Sequence, residues 1–303
     1  MGFLKYRRSL IFVLRYGGIT MIFDFRLRPP YKGFKNLGIF NPAPCNEKIP
    51  QKHHGMPSEA ARTKDLDLFW KEMEDAGISG GVVIGRQVPN DAASVPNDDV
   101  LDMAREFPDK IIPFGSLDIT RGVSATLDEL ERCIEGGIKG IAMEPAYAMP
   151  PRKADANVLY PLYARCEKAG IPMVLTLSFF QGTLEYSDPC TVQHVANDFP
   201  HLQIVVAHGC YPWIPMIFQV AITNKNVWLL PDIYMLNPMA PGNQMFGEAM
   251  QWLDGERILY GSAWPCYHLK QAVHDIERFH LSQEHKEKFF YKNAEKLLNI
   301  SLS

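Results

Sequence analysis

Short apolar runs recur along the chain from Met21 onward, and each is followed by a longer segment with helical periodicity. The runs have the length and the β-branched content of strands that are buried on both faces. We predict eight strands, at residues 21–25, 80–85, 111–117, 138–144, 172–177, 203–208, 226–232 and 257–261. Eight alternations of strand and helix predict a closed parallel (β/α)8 barrel, the TIM-like barrel, rather than an open doubly wound sheet.

The segments between the strands predict amphipathic helices. Ser58 is the expected N-cap of the first, and Gly77 is the expected end of that helix. Its apolar face is formed by Leu66, Phe69, Trp70 and Met73. Residues 282–299 predict an additional C-terminal amphipathic helix, and the irregular segment 29–57 is a candidate lid over the active face.

The first 20 residues stand apart from this pattern. Their apolar run, residues 10–14, is too short for a membrane span and lacks the features of a signal peptide. We expect residues 1–20 to be an arm or an upstream extension, and residues 21–303 to be a single domain.

Composition excludes some classes of function. The formal charge of −3 offers no basic face for nucleic acid. The six cysteines form no CxxC pair, which is typical of reduced thiols in a cytoplasmic protein.

Polar residues follow most of the predicted strands, where the chemistry of such barrels is placed. They are Asp24, Arg26, Arg28, Arg86, Asp118, Glu144, Ser178, His208, Asp232 and Tyr234, with Trp264 after the last strand. Asp118 alone is best interpreted as a helix cap. The others together predict a polar pocket.

Several motifs in this order resemble the amidohydrolase superfamily, in the amidohydrolase-related branch of metal-dependent hydrolases and decarboxylases. They are "FDFRLRPP", "IKGIAMEPAY", "DANVLYPLYARCEKAGIPMVL", "VVAHGCYPW", "GSAWP" and "YKNAEKLL". The resemblance covers residues 21–298 and implies the barrel fold. It implies hydrolysis as the default reaction.

The resemblance also implies a metal site, whose usual ligands are replaced here. Arg26 and Arg28 stand where that family has two histidines on strand one. The strand-five histidine is absent, and Ala263 replaces the strand-eight aspartate. A guanidinium group stays protonated and has no lone pair to donate, so the usual metal geometry is not available.

Three interpretations remain open. In the first, Arg26, Arg28 and Arg86 bind an anionic substrate or an oxyanion, and His208 is the general base. Asp232 or Glu144 then orients His208, and Tyr234 and Trp264 form apolar walls. In the second, one displaced divalent metal (zinc, manganese or iron) is held by Asp24, Glu144, His208 and Asp232. In the third, the arginines pair internally and the chain is a catalytically degenerate subunit.

We therefore predict a hydrolase that acts on a small anionic or amide-containing molecule through an arginine-rich pocket. The alternative is a lyase, a decarboxylase of a small carboxylate, or a degenerate binding subunit. The expected catalytic residues are His208, Asp232 and Glu144. We expect no nucleic-acid partner and no membrane span, and assembly as a homo-oligomer or with a related subunit.

Overall fold

The structure is a computed structural model that describes residues 19, 21–40, 57–89, 94–178 and 184–302. The predicted N-terminal arm lies outside the described residues except for Ile19, which is buried. Most of the predicted lid, residues 41–56, also lies outside them.

Seven parallel strands form one sheet in which each strand pairs with the next along the chain. They are β1 (Ile22–Leu27), β2 (Ile78–Ile84), β3 (Ile111–Ser116), β4 (Gly140–Met143), β5 (Met173–Thr176), β6 (Ile204–Ala207) and β7 (Val227–Leu230). This consecutive order is the order of a TIM barrel, and the sheet curls into a half-barrel.

The predicted eighth strand is not a regular strand. Residues 257–264 lie between β7 and β1 and contact both. Ile258 bridges Leu229, the amide N–H of Phe25 donates to the carbonyl of Tyr260 at 2.8 Å, and Leu27 bridges Trp264. Because these are isolated bridges, they do not add up to a continuous ladder.

Alternation along the strands sorts the core into two clusters. The inner cluster takes side chains from all seven strands, including Phe25, Phe114 and Trp228. The outer cluster packs the opposite strand faces against the helices. Side chains alternate with period two, so a residue that follows an inward position by two points toward the same lumen.

Helices cover the outside of the sheet. They are α1 (Glu59–Thr63), α2 (Leu66–Asp75), α3 (Asn97–Glu106), α4 (Val123–Gly136), α5 (Tyr160–Ala169), α6 (Pro189–Asp198), α7 (Ile214–Thr223), α8 (Asp232–Leu236), α9 (Met245–Trp252), α10 (Leu269–Asp275), α11 (Gln283–Glu287) and α12 (Asn293–Leu298). A π-helical turn, Lys288–Lys292, joins α11 to α12, so the C-terminal segment is helical in three pieces. Within the described part of the chain, every helix is too short or too polar to cross a bilayer.

The prediction of one helix after Ser58 was wrong. Ser58 does cap α1, accepting from the amide of Ala61 at 3.2 Å. Lys64 then takes a left-handed conformation (φ 54°) that ends α1, and Asp65 caps α2. The left-handed residue interrupts the helical backbone, so the apolar face of α2 is set by its own cap.

Candidate active site

A cavity of about 350 Å³ lies at the carboxyl ends of the strands. Seven of the predicted residues line it: Arg26, Arg28, Arg86, Glu144, Ser178, His208 and Tyr234. Arg86 and Glu144 lie two positions after the inward-facing Ile84 and Ala142, so the strand alternation brings both into the lumen. On β1 the register shifts between Asp24 and Leu27, and Arg26 and Arg28 both reach the cavity beyond that irregularity.

His208 forms a buried pair with Asp232. The Nδ1 atom of His208 lies 2.8 Å from Oδ1 of Asp232. An ionised carboxylate can only accept, so Nδ1 carries the proton and Nε2 keeps its lone pair. The backbone N–H of Ile233 donates to the same Oδ1 at 2.6 Å. Asp232 is thereby fixed, and it holds the imidazole in one tautomer.

Arg26 contacts both members of the His208–Asp232 pair. Its Nη2 lies 3.4 Å from Nε2 of His208, and its Nε lies 3.4 Å from Oδ2 of Asp232. Neither Arg26 Nε nor Asp232 Oδ2 makes a hydrogen bond within the described part of the chain. The arrangement is therefore an ion pair with hydrogen-bonding capacity to spare.

The environment keeps the imidazole neutral and the carboxylate charged. Burial lowers the pKa of His208, and the charges of Arg26 and Arg28 lower it further against the opposing effect of Asp232. Burial opposes ionisation of Asp232, but His208 and Arg26 outweigh it and hold the pKa of this carboxyl below its usual value. A neutral imidazole beside a carboxylate can take a proton from a bound molecule.

Left-handed backbone conformations cluster at this end of the sheet. His208 has φ 64°, Asp232 φ 35° and Ala263 φ 55°. Non-glycine residues avoid this region, and such strain concentrates at functional sites. The strand ends that carry the histidine and its partner are thus held in costly conformations.

Arg86 and Glu144 form the second ion pair of the cavity. Nε and Nη2 of Arg86 donate to the two carboxylate oxygens of Glu144, each at 3.0 Å. The guanidinium also lies 5.3 Å from the ring centre of Tyr147. Burial opposes ionisation of Glu144, but Arg86 lowers its pKa below the usual value. No described hydrogen bond or ion pair joins Glu144 to His208, so Asp232 is the residue that orients the histidine.

Among the described residues, Arg28 has no carboxylate partner. No oxygen of a described aspartate or glutamate lies within 4.0 Å of its guanidinium nitrogens. Its Nε is buried without a hydrogen-bond partner in the described ranges. Burial and the neighbouring charge of Arg26 lower the pKa of Arg28 to about 10, so it stays charged at neutral pH.

Asp24 lies behind the cavity wall. Its carboxylate accepts from the amides of Arg26 at 2.9 Å and Ser262 at 3.1 Å, which ties β1 to the segment that follows Tyr260. Burial raises the pKa of Asp24 to about 7. These hydrogen bonds satisfy the buried carboxylate, so its burial does not require a bound metal.

The predicted metal site does not fit these residues. The carboxylate of Asp24 faces backbone amides, that of Glu144 is held by both donors of Arg86, and Asp232 lies between His208 and Arg26. In the described ranges no three histidine, cysteine, aspartate or glutamate side chains are grouped to hold an ion. The Nε2 of His208, the nitrogen free to ligate, faces a guanidinium instead.

Trp264 does not lie at the cavity, where the sequence predicted it. It is buried against Phe69, with ring centres 4.6 Å apart, and its indole N–H donates to Glu72 at 3.2 Å. It does not line the cavity, so its predicted role as a substrate wall is not supported. Tyr234 does line the cavity and stacks on Tyr211 at 4.3 Å.

Several cavity residues were not predicted to bind substrate. They are Leu37, Gly38, Ile39, Tyr147, Thr176, Ile233, Ala263 and Cys266. The alternation along β5 could have indicated Thr176. The "EPAY" motif after β4 could have indicated Tyr147. Ile39 lies in the irregular segment after β1, where sequence carries no periodicity. Asp118 is a cap, as predicted, since it accepts from the amide of Thr120 at 2.9 Å.

Comparison with known proteins identifies the family. The chain belongs to the amidohydrolase family, whose model matches residues 41–300. A crystal structure of the uncharacterized TIM-barrel protein Bb4693 from Bordetella bronchiseptica is 34% identical, covers 92% of this chain and 98% of its own, and gives a TM-score of 0.87.

More distant solved structures share the fold. A probable 2-pyrone-4,6-dicarboxylic acid hydrolase from Acinetobacter baumannii, with citric acid bound, is 13% identical with a TM-score of 0.63, covering 93% of this chain and 99% of its own. The 2,6-dihydroxybenzoate decarboxylase from Rhizobium is 16% identical with a TM-score of 0.66, covering 92% and 98%. A comparison with curated protein sequences gives no match.

Proposed function

We propose that the protein is a hydrolase of a small anionic or amide-containing molecule, with the arginine-rich cavity in place of a binuclear metal site. The observation that carries this proposal is the buried His208–Asp232 pair, whose Nε2 meets Arg26 on the cavity wall. A base, a group that orients it and a fixed cation for a developing oxyanion lie together.

Each residue has a separate role in the proposed hydrolysis. Nε2 of His208 takes a proton from a water molecule whose oxygen attacks the carbonyl carbon of the substrate. The negative charge that forms on the carbonyl oxygen is stabilised by Arg26, which has hydrogen-bonding capacity to spare. When the tetrahedral intermediate collapses, the imidazolium returns the proton to the leaving oxygen or nitrogen. Asp232 fixes the tautomer and stabilises the imidazolium throughout.

The rest of the cavity supports binding. Arg28 supplies positive charge for an anionic group, Arg86 lines the cavity as the guanidinium paired with Glu144, and Tyr234 supplies an aromatic wall. The volume of about 350 Å³ suits a small molecule.

Decarboxylation is the second candidate, favoured by the charged Arg28 and by a structural neighbour that is a decarboxylase. Two arguments favour hydrolysis. An arginine bound to the reacting carboxylate stabilises the ground state, which opposes loss of carbon dioxide. Decarboxylation also needs a proton donor for the new carbanion, and the lowered pKa of His208 makes it a base.

The degenerate subunit is the third candidate. The ion pairs of Arg26 with Asp232 and of Arg86 with Glu144 agree with internal satisfaction. The buried, charged Arg28 does not, because a charge with no partner in the described structure favours a ligand.

The proposal extends to the whole chain. We propose one domain over residues 21–303 with 1–20 as an extension, closure of a (β/α)8 barrel by residues 257–264, and a cytoplasmic homo-oligomer or a complex with a related subunit. Light scattering of the full chain tests the assembly.

The function is tested with protein purified without chelator. Small carboxylate-bearing esters and lactones are screened by pH-stat for acid release and amides by assay of the released amine, with metal content measured on the same samples. We expect turnover that does not depend on bound metal and is lost in His208→Ala. Turnover that follows stoichiometric metal would overturn the arginine-based mechanism, and release of carbon dioxide instead of hydrolysis would favour the lyase.

A further inference from the structure

The three guanidinium groups of the cavity differ in how they are compensated. Arg26 is ion-paired with Asp232, and Arg86 with Glu144 through two hydrogen bonds. Arg28 has no such partner in the described part of the chain. With His208 neutral and Asp24 left out because it faces backbone amides, the three guanidinium groups together with Asp232 and Glu144 retain one uncompensated positive charge.

We propose that Arg28 is the receptor for a single carboxylate and that the substrate carries one negative charge. This inference rests on the proposed function and narrows its substrate class. A guanidinium binds a carboxylate through parallel hydrogen bonds, and the buried Nε of Arg28 has a donor to offer. The carboxylate thus replaces hydration that burial has removed.

In the described part of the chain, a second negative charge on the substrate has no cation without a carboxylate partner. Arg86 is already bound to Glu144 by two hydrogen bonds, and the spare capacity of Arg26, beside Asp232, serves the oxyanion that forms during turnover. Both carboxylates also repel the second charge. Asp24 faces backbone amides behind the wall, and its carboxyl group can add only negative charge. Dicarboxylates should therefore bind less well than monocarboxylates.

The walls beside these charges fit a planar body. Tyr147 and Tyr234 line the cavity with Ile39 and Ile233. Aromatic faces favour a flat ring over a chain of hydroxyl groups. We infer a planar monocarboxylate whose carboxylate lies at Arg28 and whose scissile bond lies near His208.

Binding is tested by titration calorimetry with three probes: benzoate, its neutral analogue benzamide, and the dianion phthalate. We expect benzoate to bind about 10- to 150-fold more tightly than benzamide, the range for charge-assisted hydrogen bonds. Arg28→Gln should remove that preference. The matched control, Arg105→Gln, removes an exposed guanidinium from α3 and should leave binding unchanged. Equal binding of benzoate and benzamide, or tighter binding of phthalate, would overturn the inference.

Cys266 supplies a second readout if Arg28→Gln abolishes binding, and its protection in the natural chain needs no variant if Arg28→Gln perturbs folding. It lines the cavity; burial raises the pKa of its thiol, and the positive charges of Arg28 and Arg26 act against that rise. The thiolate sulfur attacks the methylene carbon of iodoacetate or iodoacetamide, iodide leaves, and the thiol proton passes to buffer. Alkylation is followed by peptide mass spectrometry, with the exposed Cys190 as internal reference.

The ratio of iodoacetate to iodoacetamide rates at Cys266 should fall about fivefold or more in Arg28→Gln, since one nearby charge is removed. Benzoate should protect Cys266 in the natural chain. An unchanged ratio would contradict the inference. Benzoate binding through Arg28 without hydrolysis of any ester would retain this subsite and reject the proposed function. Hydrolysis with no preference for monocarboxylates would retain the proposed function and reject this subsite.

Discussion

Two sides of one cavity use arginine differently. The histidine side consists of His208, Asp232 and Arg26, and the clamp side consists of Arg86 and Glu144. On the clamp side, two hydrogen bonds of 3.0 Å satisfy both partners. On the histidine side, Arg26 approaches both neighbours only at 3.4 Å, and its Nε makes no hydrogen bond in the described ranges.

This difference distinguishes a pair that stabilises the fold from a pair whose donors are available for chemistry. A bidentate pair is a rigid unit, and breaking it leaves an uncompensated buried charge. A looser ion pair can turn a donor toward a bound oxyanion at the cost of only the 3.4 Å contact between Nη2 of Arg26 and Nε2 of His208. We therefore expect changes on the clamp side to alter stability, and changes on the histidine side to alter turnover.

The largest expected effect is on turnover. His208→Ala removes the proposed base and should lower kcat by about 10²–10⁴-fold, the range for general base catalysis. Unfolding should stay cooperative, because the imidazole makes its described bonds at the cavity wall. Steady-state kinetics with a hydrolysed substrate and thermal unfolding check both parts.

His194→Ala is the matched control. His194 also pairs with an aspartate, Asp155, at 2.7 Å, but on the exposed surface. It should change neither kcat nor KM. An equal loss of activity in both variants would mean that His208 has no special role.

A substitution on the clamp side should lower the stability of the protein. Glu144→Gln leaves the guanidinium of Arg86 without its counter-charge and should lower the free energy of unfolding by about 3–5 kcal/mol. Denaturant titration measures the change. Glu131→Gln breaks a bidentate pair with Arg165 on the surface and should cost less than about 1 kcal/mol. Similar costs for the two variants would remove the distinction between a buried clamp and a surface pair.

The pKa of His208 sharpens the comparison further. Arg28 lowers this pKa, so Arg28→Gln should shift it upward toward the ordinary value. Histidine NMR titration of the natural chain should give a pKa below about 6.5, and a higher one in the variant. Arg105→Gln should not move it. A downward shift in Arg28→Gln would contradict the electrostatic account.

The same shift determines how stability depends on pH. Because the folded pKa of His208 lies below the unfolded value, the unfolded chain binds more protons between the two. The contribution of His208 to stability is therefore complete above about pH 6.5 and is lost as pH falls through the folded pKa. In Arg28→Gln this loss should still begin near pH 6.5, but it should be complete at a higher pH and be smaller.

Strand periodicity made much of the site predictable. Arg86, Glu144 and Asp232 each lie two residues after an inward-facing apolar residue, so the pattern that forms the core also brings them to the lumen. Because parallel strands end at one edge, residues distant in sequence converge there. The family motifs lie on these same strand ends.

Pairing across the cavity could not be predicted in the same way. Arg26 and Arg28 are equivalent by sequence, but the shift in register on β1 and the positions of Asp232 and Glu144 decide which of them is paired. Such distances arise from the curl of the whole sheet. The eighth strand stays a prediction for a related reason, since residues 257–264 divide their bonds between β7 and β1 as isolated bridges.

Trp264 gives the smallest expected effect and tests the correction made to its role. Trp264→Phe keeps an aromatic ring against Phe69 but removes the indole N–H that donates to Glu72, so unfolding should cost about 1 kcal/mol less. Glu72 retains the backbone N–H of Leu269 at 2.9 Å, which limits the loss. Because the ring does not line the cavity, KM should be unchanged, whereas Tyr234→Leu, which alters the cavity wall, should raise it. A raised KM in Trp264→Phe with unchanged stability would return this residue to the substrate site and place the boundary of the cavity differently.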